Sequence, residues 1–184
     1  RSGINLLKGG IHFADIVNTV SPTYANETLT SQYSYGLDKM LHMKGEHYIG
    51  ILNGVDYTEW DPKNDMLIPE KYDVKNISGK ARCKKMLQEH YGLEQNEAPI
   101  IGVVSRMAEQ KGLHMLANSI EAIVKNMNVQ FAILGSGDKN LETYFASLPD
   151  KYPGQIGVQI GYNNALAHKI EAGADFFIMP SIYE

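Results

Sequence analysis

The 184-residue chain has one cysteine, one tryptophan and no apolar run close to the roughly 18 residues that a membrane-spanning helix requires. Cys83 has no second cysteine to pair with, which excludes an internal disulfide and a C-x-x-C zinc site. Basic side chains number 17 and acidic side chains 21, and no stripe of Lys and Arg interrupts the mixture. We therefore expect no nucleic-acid partner, no membrane partner and a cytoplasmic location.

Several catalytic motifs are also missing. The sequence contains no G-x-G-x-x-G, no P-loop, no H-E-x-x-H and no G-x-S-x-G. It also lacks an Asp-x-Asp pair, which disfavours a glycosyltransferase that binds its donor diphosphate through a divalent metal. We expect neither a metal ion nor a bound cofactor.

The second half of the chain alternates short apolar runs with segments of helical periodicity. Apolar runs rich in β-branched residues predict buried strands, and apolar positions three and four residues apart predict helices. The predicted strands are 99–105, 129–138, 156–162 and 175–181, and the predicted helices are 113–124, 141–148 and 165–172. This alternation predicts an α/β fold: a Rossmann-like parallel sheet with helices on both faces.

The first 98 residues are less regular. We predict a strand over 13–20 that ends at Ser21-Pro22, a helix from Tyr24, and a second strand over 47–52. Residues 54–73 contain the tryptophan, two prolines and six acidic residues, a composition typical of an irregular connection. A charged helix over 78–91, closed by Gly92, leads into the sheet.

Two cationic residues flank the first turn of the predicted sheet. Ligands bind at the carboxyl ends of parallel strands, and Arg106 and Lys111 lie between the first strand and its helix. A guanidinium and an ammonium there can converge on one diphosphate, helped by the N–H groups of the helix. Alternatively, both residues are solvated charges on a surface loop.

Three further candidates follow strands at the same edge. Gly135-Ser136-Gly137 follows the second strand and would let the backbone approach a ligand closely, although a tight turn explains the glycines equally well. Tyr162 could stack on a nucleobase or pack against a helix. Glu184 could reach a sugar in the crevice or be an isolated surface carboxylate.

Longer strings give the sequence a specific likeness. In chain order they are ADIVNTVSPTYANE (14–27), ILNGVDYTEWDP (51–62), VSRMAEQKG (104–112), GSGD (135–138), VQIGYNNALAHKIEAGAD (158–175) and FIMPSIYE (177–184). Together they resemble bacterial glycogen synthase and the related plant starch synthases. The resemblance implies a metal-independent, two-domain GT-B glycosyltransferase that is incomplete at both ends. Its implied parts are an acceptor-side remnant (1–52), a connection with a lead-in helix (53–98) and half of the nucleotide-binding domain (99–184).

The resemblance also implies an activity. The family transfers glucose from ADP-glucose to the nonreducing end of an α-1,4-glucan with retention of configuration. Arg106 and Lys111 match the basic pair that holds the donor diphosphate, and Glu184 matches the glutamate that opens the family's E-P-C-G-L motif and contacts the donor sugar.

Four further positions match substrate-binding residues of the family. Tyr162 matches the ring that stacks on adenine, and Asn53 matches an asparagine near the donor sugar. Gly135 and Gly137 match backbone contacts to the nucleotide. From the residues alone, Tyr162 could stack on a purine or a pyrimidine, so ADP-glucose and UDP-glucose both remain open.

The chain also departs from the family's pattern. The family's active-site histidine and the rest of the E-P-C-G-L motif are not in the sequence, which begins at Arg1 without a leader. We therefore expect a central fragment that self-associates and shows no measurable glucosyl transfer by itself. Other readings are a noncatalytic nucleotide- or glucan-binding module, a phosphorylase, or a sugar-nucleotide epimerase on the same fold.

Overall fold

Two compact units make up the chain, residues 1–55 and residues 56–184. The structure is a computed structural model that describes residues 4–183. In the described part of the chain, no helix combines the length and the apolar character that crossing a bilayer requires.

The first unit contains a two-stranded parallel sheet, in which Val17 pairs with Tyr48 and Val20 with Ile51. The predicted strand over 13–20 is too long: Phe13 ends a helix, and strand pairing begins only at Val17. The next helix begins at Pro22 rather than at Tyr24, and Ser21 caps it: its Oγ accepts a hydrogen bond from the N–H of Thr23 at 3.2 Å. The elements are α1 (Leu6–Phe13), β1 (Val17–Val20), α2 (Pro22–Glu27), α3 (Asp38–Lys44), a 3₁₀ turn (Gly45–His47) and β2 (Tyr48–Ile51).

The second unit is built on a four-stranded parallel sheet in the order β5-β4-β3-β6. The chain passes from β3 to β4 and β5, and then returns to the other side of β3. Between β3 and β6 the strand order therefore reverses, which is where open α/β sheets bind ligands. Its elements are α4 (Ser78–Tyr91), β3 (Ile100–Met107), a 3₁₀ turn (Glu109–Lys111), α5 (Leu113–Asn126), β4 (Gln130–Gly137), α6 (Lys139–Lys151), β5 (Ile156–Ile160), α7 (Asn164–Gly173) and β6 (Phe176–Phe177).

Alternate residues of β4 supply the cores on the two faces of this sheet. Phe131 and Ile133 pack with residues of α5 and α6 on one face. Ala132 and Leu134 pack with residues of α4 and α7 on the other. A strand buried on both faces needs an uninterrupted apolar run, which is why the sequence signal was strong. The predicted parallel sheet with helices on both faces is confirmed.

The two largest boundary errors in the second unit concern α6 and the last strand. The helix predicted over 141–148 continues to Lys151, with Pro149 inside it. The N–H of Tyr152 donates to the carbonyl of Leu148 at 2.8 Å, and buried Leu148 and half-buried Tyr152 both pack on the core. The strand predicted over 175–181 pairs with β3 only at Phe176 and Phe177. The N–H of Ile178 still donates to the carbonyl of Gly102 at 3.0 Å, and the N–H of Ile182 then donates to that of Gln110.

The irregular segment that opens the second unit is attached to α7. The ring of Trp60 stacks on that of His168 with centroids 3.7 Å apart. Nδ1 of His168 lies 2.6 Å from Oδ2 of Asp65, whose Oδ1 accepts the N–H of Leu67 at 2.7 Å. Asp65 and His168 are both buried, so this hydrogen bond lies out of competition with water.

We expect the substitution His168→Ala to lower the free energy of unfolding by about 2–4 kcal/mol. It removes a hydrogen bond to a buried carboxylate and a stacked ring. The control is His114→Ala, because His114 is exposed on α5 and should cost less than about 0.5 kcal/mol. Urea unfolding measures both, and equal losses would show that the contact with Asp65 does not stabilise the fold.

Candidate functional site

A cavity of about 210 Å³ opens at the carboxyl ends of β3, β4 and β5. It brings together three of the predicted site residues, Arg106, Gly135 and Tyr162. The described lining includes neither Lys111 nor Gly137. The residues that line it are Val104, Ser105, Arg106, Leu134, Gly135, Ser136, Gly161 and Tyr162.

Close backbone packing forms one wall of this cavity. Gly135 pairs with Ser105 across the sheet, and a Cβ at Gly135 would overlap the carbonyl oxygen of Ser105. The N–H of Gly161 donates to the carbonyl of Gly135 at 2.9 Å. A side chain at Gly135 would separate the strands, so this glycine is required by the sheet as well as by the cavity.

Arg106 provides the cation in the lining. It is the second-last residue of β3, and its side chain is exposed. It pairs with Ser136 in the register between β3 and β4. A guanidinium presents a planar fork of N–H donors, so at this position it can bind an anion in the cavity through two hydrogen bonds.

Tyr162 is 84% exposed, which argues against packing on a helix as the reason for its presence. Its hydroxyl donates to Oδ1 of Asn164 at 3.3 Å, and Nδ2 of Asn164 donates to Oε1 of Glu59 at 3.4 Å. Asn163 caps α7 by accepting the N–H of Leu166 at 3.0 Å, which fixes the chain directly after Tyr162. An aromatic ring at the cavity is therefore available for stacking.

Lys111 lies in the 3₁₀ turn between β3 and α5, next to the segment that follows β6. Gln110 holds that segment through two hydrogen bonds. Its backbone carbonyl accepts the N–H of Ile182 at 2.9 Å, and its side-chain Nε2 donates to the carbonyl of Tyr183 at 3.3 Å. Glu184, the residue after Tyr183, lies outside the described residues.

Gly112 makes this close approach possible. Its φ is +65°, and a Cβ there would overlap the carbonyl oxygen of Pro180. The turn that carries Lys111 and the segment after β6 thus meet at the point where the strand order reverses. The two hydrogen bonds of Gln110 join the two backbones at this point.

Gly137 ends β4, and its N–H donates to Oε1 of Glu142 at 2.8 Å. Sequence reasoning missed Glu142, because a glutamate three residues after Lys139 suggests only a surface pair on a helix. Asn53 is exposed and follows β2 in the first unit, so its predicted role rests on the resemblance.

Within residues 4–183, no group of three or more His, Cys, Asp or Glu side chains is placed to hold a metal ion.

Family comparisons agree with the likeness that the sequence strings indicate. The family described as starch synthase catalytic domain matches residues 1–43, and the family described as glycosyl transferases group 1 matches residues 98–184. The chain is 46% identical over 181 residues to the glycogen synthase of Myxococcus xanthus and 45% identical to glycogen synthase 1 of Geobacter sulfurreducens. It covers 38% and 36% of these relatives, and each alignment includes 98% of the chain. The chain thus spans just over a third of their length.

Solved structures give the same result. The catalytic domain of starch synthase IV from Arabidopsis thaliana, bound to ADP and acarbose, matches 98% of this chain with a TM-score of 0.92 and 34% identity, and the match covers 38% of that structure. WaaG, a glycosyltransferase involved in lipopolysaccharide biosynthesis, matches 92% of the chain with a TM-score of 0.55 and 12% identity. The match covers 51% of WaaG and shows the fold alone.

We expect Gly112→Ala to destabilise the second unit far more than Gly92→Ala. Both glycines have φ of +65°, but nothing lies within 4 Å of a Cβ at Gly92. Gly92→Ala should therefore cost only the backbone strain, about 1–2 kcal/mol, whereas the overlap at Gly112 should add about 1–3 kcal/mol. Urea unfolding of both variants measures the difference, and equal costs would contradict the close approach to Pro180.

Proposed function

The chain belongs to the family of bacterial glycogen synthases and plant starch synthases, and on that premise we propose that the full-length protein transfers glucose from ADP-glucose to the nonreducing end of an α-1,4-glucan, with retention. The fold is that of the GT-B glycosyltransferases. Within it we assign residues 1–52 to the acceptor-side domain, 53–98 to the connection and 99–184 to the nucleotide-binding domain. We also propose a cytoplasmic location.

One observation carries the proposal: Arg106, Gly135 and Tyr162 line a single cavity at the carboxyl edge of the sheet. Arg106 supplies a cation for a diphosphate, Gly135 lets the ligand approach the backbone closely, and Tyr162 supplies an exposed ring for a base. The similar starch synthase structure holds ADP and acarbose. We propose that this chain binds the same two classes of ligand, a nucleoside diphosphate and an α-glucan.

In the proposed reaction the protein acts mainly through placed charge. The leaving group is a nucleoside diphosphate, which departs as an anion and needs little protonation. Arg106 and Lys111 stabilise the negative charge that develops on it as the bond to glucose breaks. Glu184 keeps the contact with the donor sugar that the resemblance implies, Asn53 keeps its place near that sugar, and Gly135 keeps its backbone contact with the nucleotide.

For Arg106→Ala and for Lys111→Ala in the full-length protein, we expect turnover of ADP-glucose to fall by about 10²–10³-fold each, because each removes charge stabilisation from the transition state. Arg106→Lys should recover part of the loss, since it restores the charge without the planar fork. Release of ADP in the presence of a glucan primer measures turnover, and thermal unfolding checks the fold.

Arg82→Ala is the matched control. Its guanidinium is also exposed and lies 3.8 Å from Glu70, so losing it should leave turnover unchanged. Wild-type rates in the Arg106 variant would refute the proposed role of the cation.

Tyr162→Ala should weaken ADP binding by roughly five- to hundredfold, because stacking of a base on an aromatic ring contributes about 1–3 kcal/mol. Tyr162→Phe keeps the ring and should bind ADP as the wild type does. Isothermal titration with ADP and with UDP measures both variants and also establishes the base preference. Unchanged affinity in the alanine variant would exclude stacking on Tyr162.

A further inference from the structure

We propose that Glu142, in the first turn of α6, is a positioning residue of the nucleotide site. Its carboxylate holds the turn that ends β4 in the shape that the cavity requires. The inference deepens the proposed function and rests on it, because the nucleotide is what the turn would receive. Glu142 acts on the nucleotide only through the backbone that it holds.

Both oxygens of the carboxylate are engaged. Oε1 accepts the N–H of Gly137 at 2.8 Å, and Oε2 lies 2.6 Å from Nζ of Lys139. The side chain of Glu142 is 13% exposed, whereas that of Lys139 is 87% exposed. The carboxylate of Glu142 is therefore largely removed from solvent, whereas the side chain of Lys139 extends into it. The hydrogen bond from Lys139, followed by that from Gly137, lowers the pKa of Glu142, so the group remains an anion.

The turn that Glu142 holds continues directly from the cavity wall. Gly135 and Ser136 line the cavity, and Gly137 is the next residue. Immediately after it, the N–H of Asp138 donates to the carbonyl of Met107 at 2.7 Å, and Oδ1 of Asp138 caps α6 by accepting the N–H of Asn140 at 2.9 Å. Two successive amides are thus held from outside the cavity.

Flexibility at this turn would weaken ligand binding. Gly137 is the last residue of β4 that pairs with β3, and a glycine has more backbone conformations to lose than any other residue. Without the bond to Glu142, part of the ordering of Gly137 would therefore fall to nucleotide binding. A turn that is already fixed avoids that loss at the moment of binding. The bond from Gly137 to Glu142 provides this restraint.

The charge of Glu142 acts in the opposite direction. A carboxylate beside a site for a diphosphate repels the ligand, and Lys139 offsets only part of that repulsion. Positioning and charge therefore predict different results for two substitutions. Glu142→Gln removes the charge and keeps an oxygen that accepts the N–H of Gly137, whereas Glu142→Ala removes both.

The decisive experiment is isothermal titration of the full-length protein and both variants with ADP. If Glu142 positions the turn, Glu142→Ala binds ADP roughly five- to tenfold more weakly, and Glu142→Gln binds it as tightly as the wild type or more tightly. If the charge alone matters, both variants bind ADP more tightly, and the proposal is overturned. Equal affinity in all three proteins also overturns it.

Glu121→Ala is the matched control for a loss of stability. Glu121 lies on α5, where its Oε2 is 2.6 Å from Nζ of Lys151 and accepts the hydroxyl of Tyr152 at 2.7 Å. It is not among the residues that line the cavity. Its removal should lower the melting temperature and leave the affinity for ADP unchanged. An equal loss of affinity in this variant would show that general destabilisation, and not the turn, weakens binding.

Amide hydrogen exchange of the peptide that contains Gly137 gives a readout that needs no nucleotide. Exchange should become faster in Glu142→Ala and stay slow in Glu142→Gln. If the wild-type protein does not bind ADP, the proposed function fails, while the exchange rates still decide whether Glu142 holds the turn. Unchanged exchange in Glu142→Ala would remove the basis of the inference.

Discussion

Parallel pairing of β3 with β4 on one side and with β6 on the other determines most of what lies at the candidate site. Because these strands run in the same direction, the segments that follow them emerge at the same edge of the sheet. The edge thereby collects residues that are far apart in the chain, from Arg106 to Tyr183. It also requires close backbone approach, which explains why glycines rather than larger residues occupy positions 112 and 135.

The site combines rigid backbone with exposed side chains. The sheet, the cap of α6 and the hydrogen bonds of Gln110 fix the main chain around the cavity. Arg106 and Tyr162, by contrast, extend into solvent at its rim. This division suits binding of an anionic ligand with a planar base, because the fixed backbone sets the position and the rim residues supply the charge and the aromatic surface.

Sequence patterns predicted the second unit well, because its strands are buried on both faces and its helices carry apolar stripes. They missed α1 and α3, which are short and, in the case of α1, contain the glycines Gly9 and Gly10. At the site, the strand ends located Arg106, Gly135 and Tyr162. The bond between Gly137 and Glu142 depends on how the glutamate side chain folds back, which the sequence does not indicate. The bond between His168 and Asp65 joins residues 103 positions apart, so no local pattern reveals it.

The contact at Gly112 also limits how this protein can diverge. A new side chain there would meet the main chain of Pro180, and no replacement of a neighbouring side chain can relieve a clash with main-chain atoms. Gly154 has a positive φ as well, but a Cβ there would meet the side chain of Glu94, which a second substitution could shorten. A second mutation could therefore relieve the clash at Gly154, although the backbone strain there would remain. No second mutation could relieve the clash at Gly112.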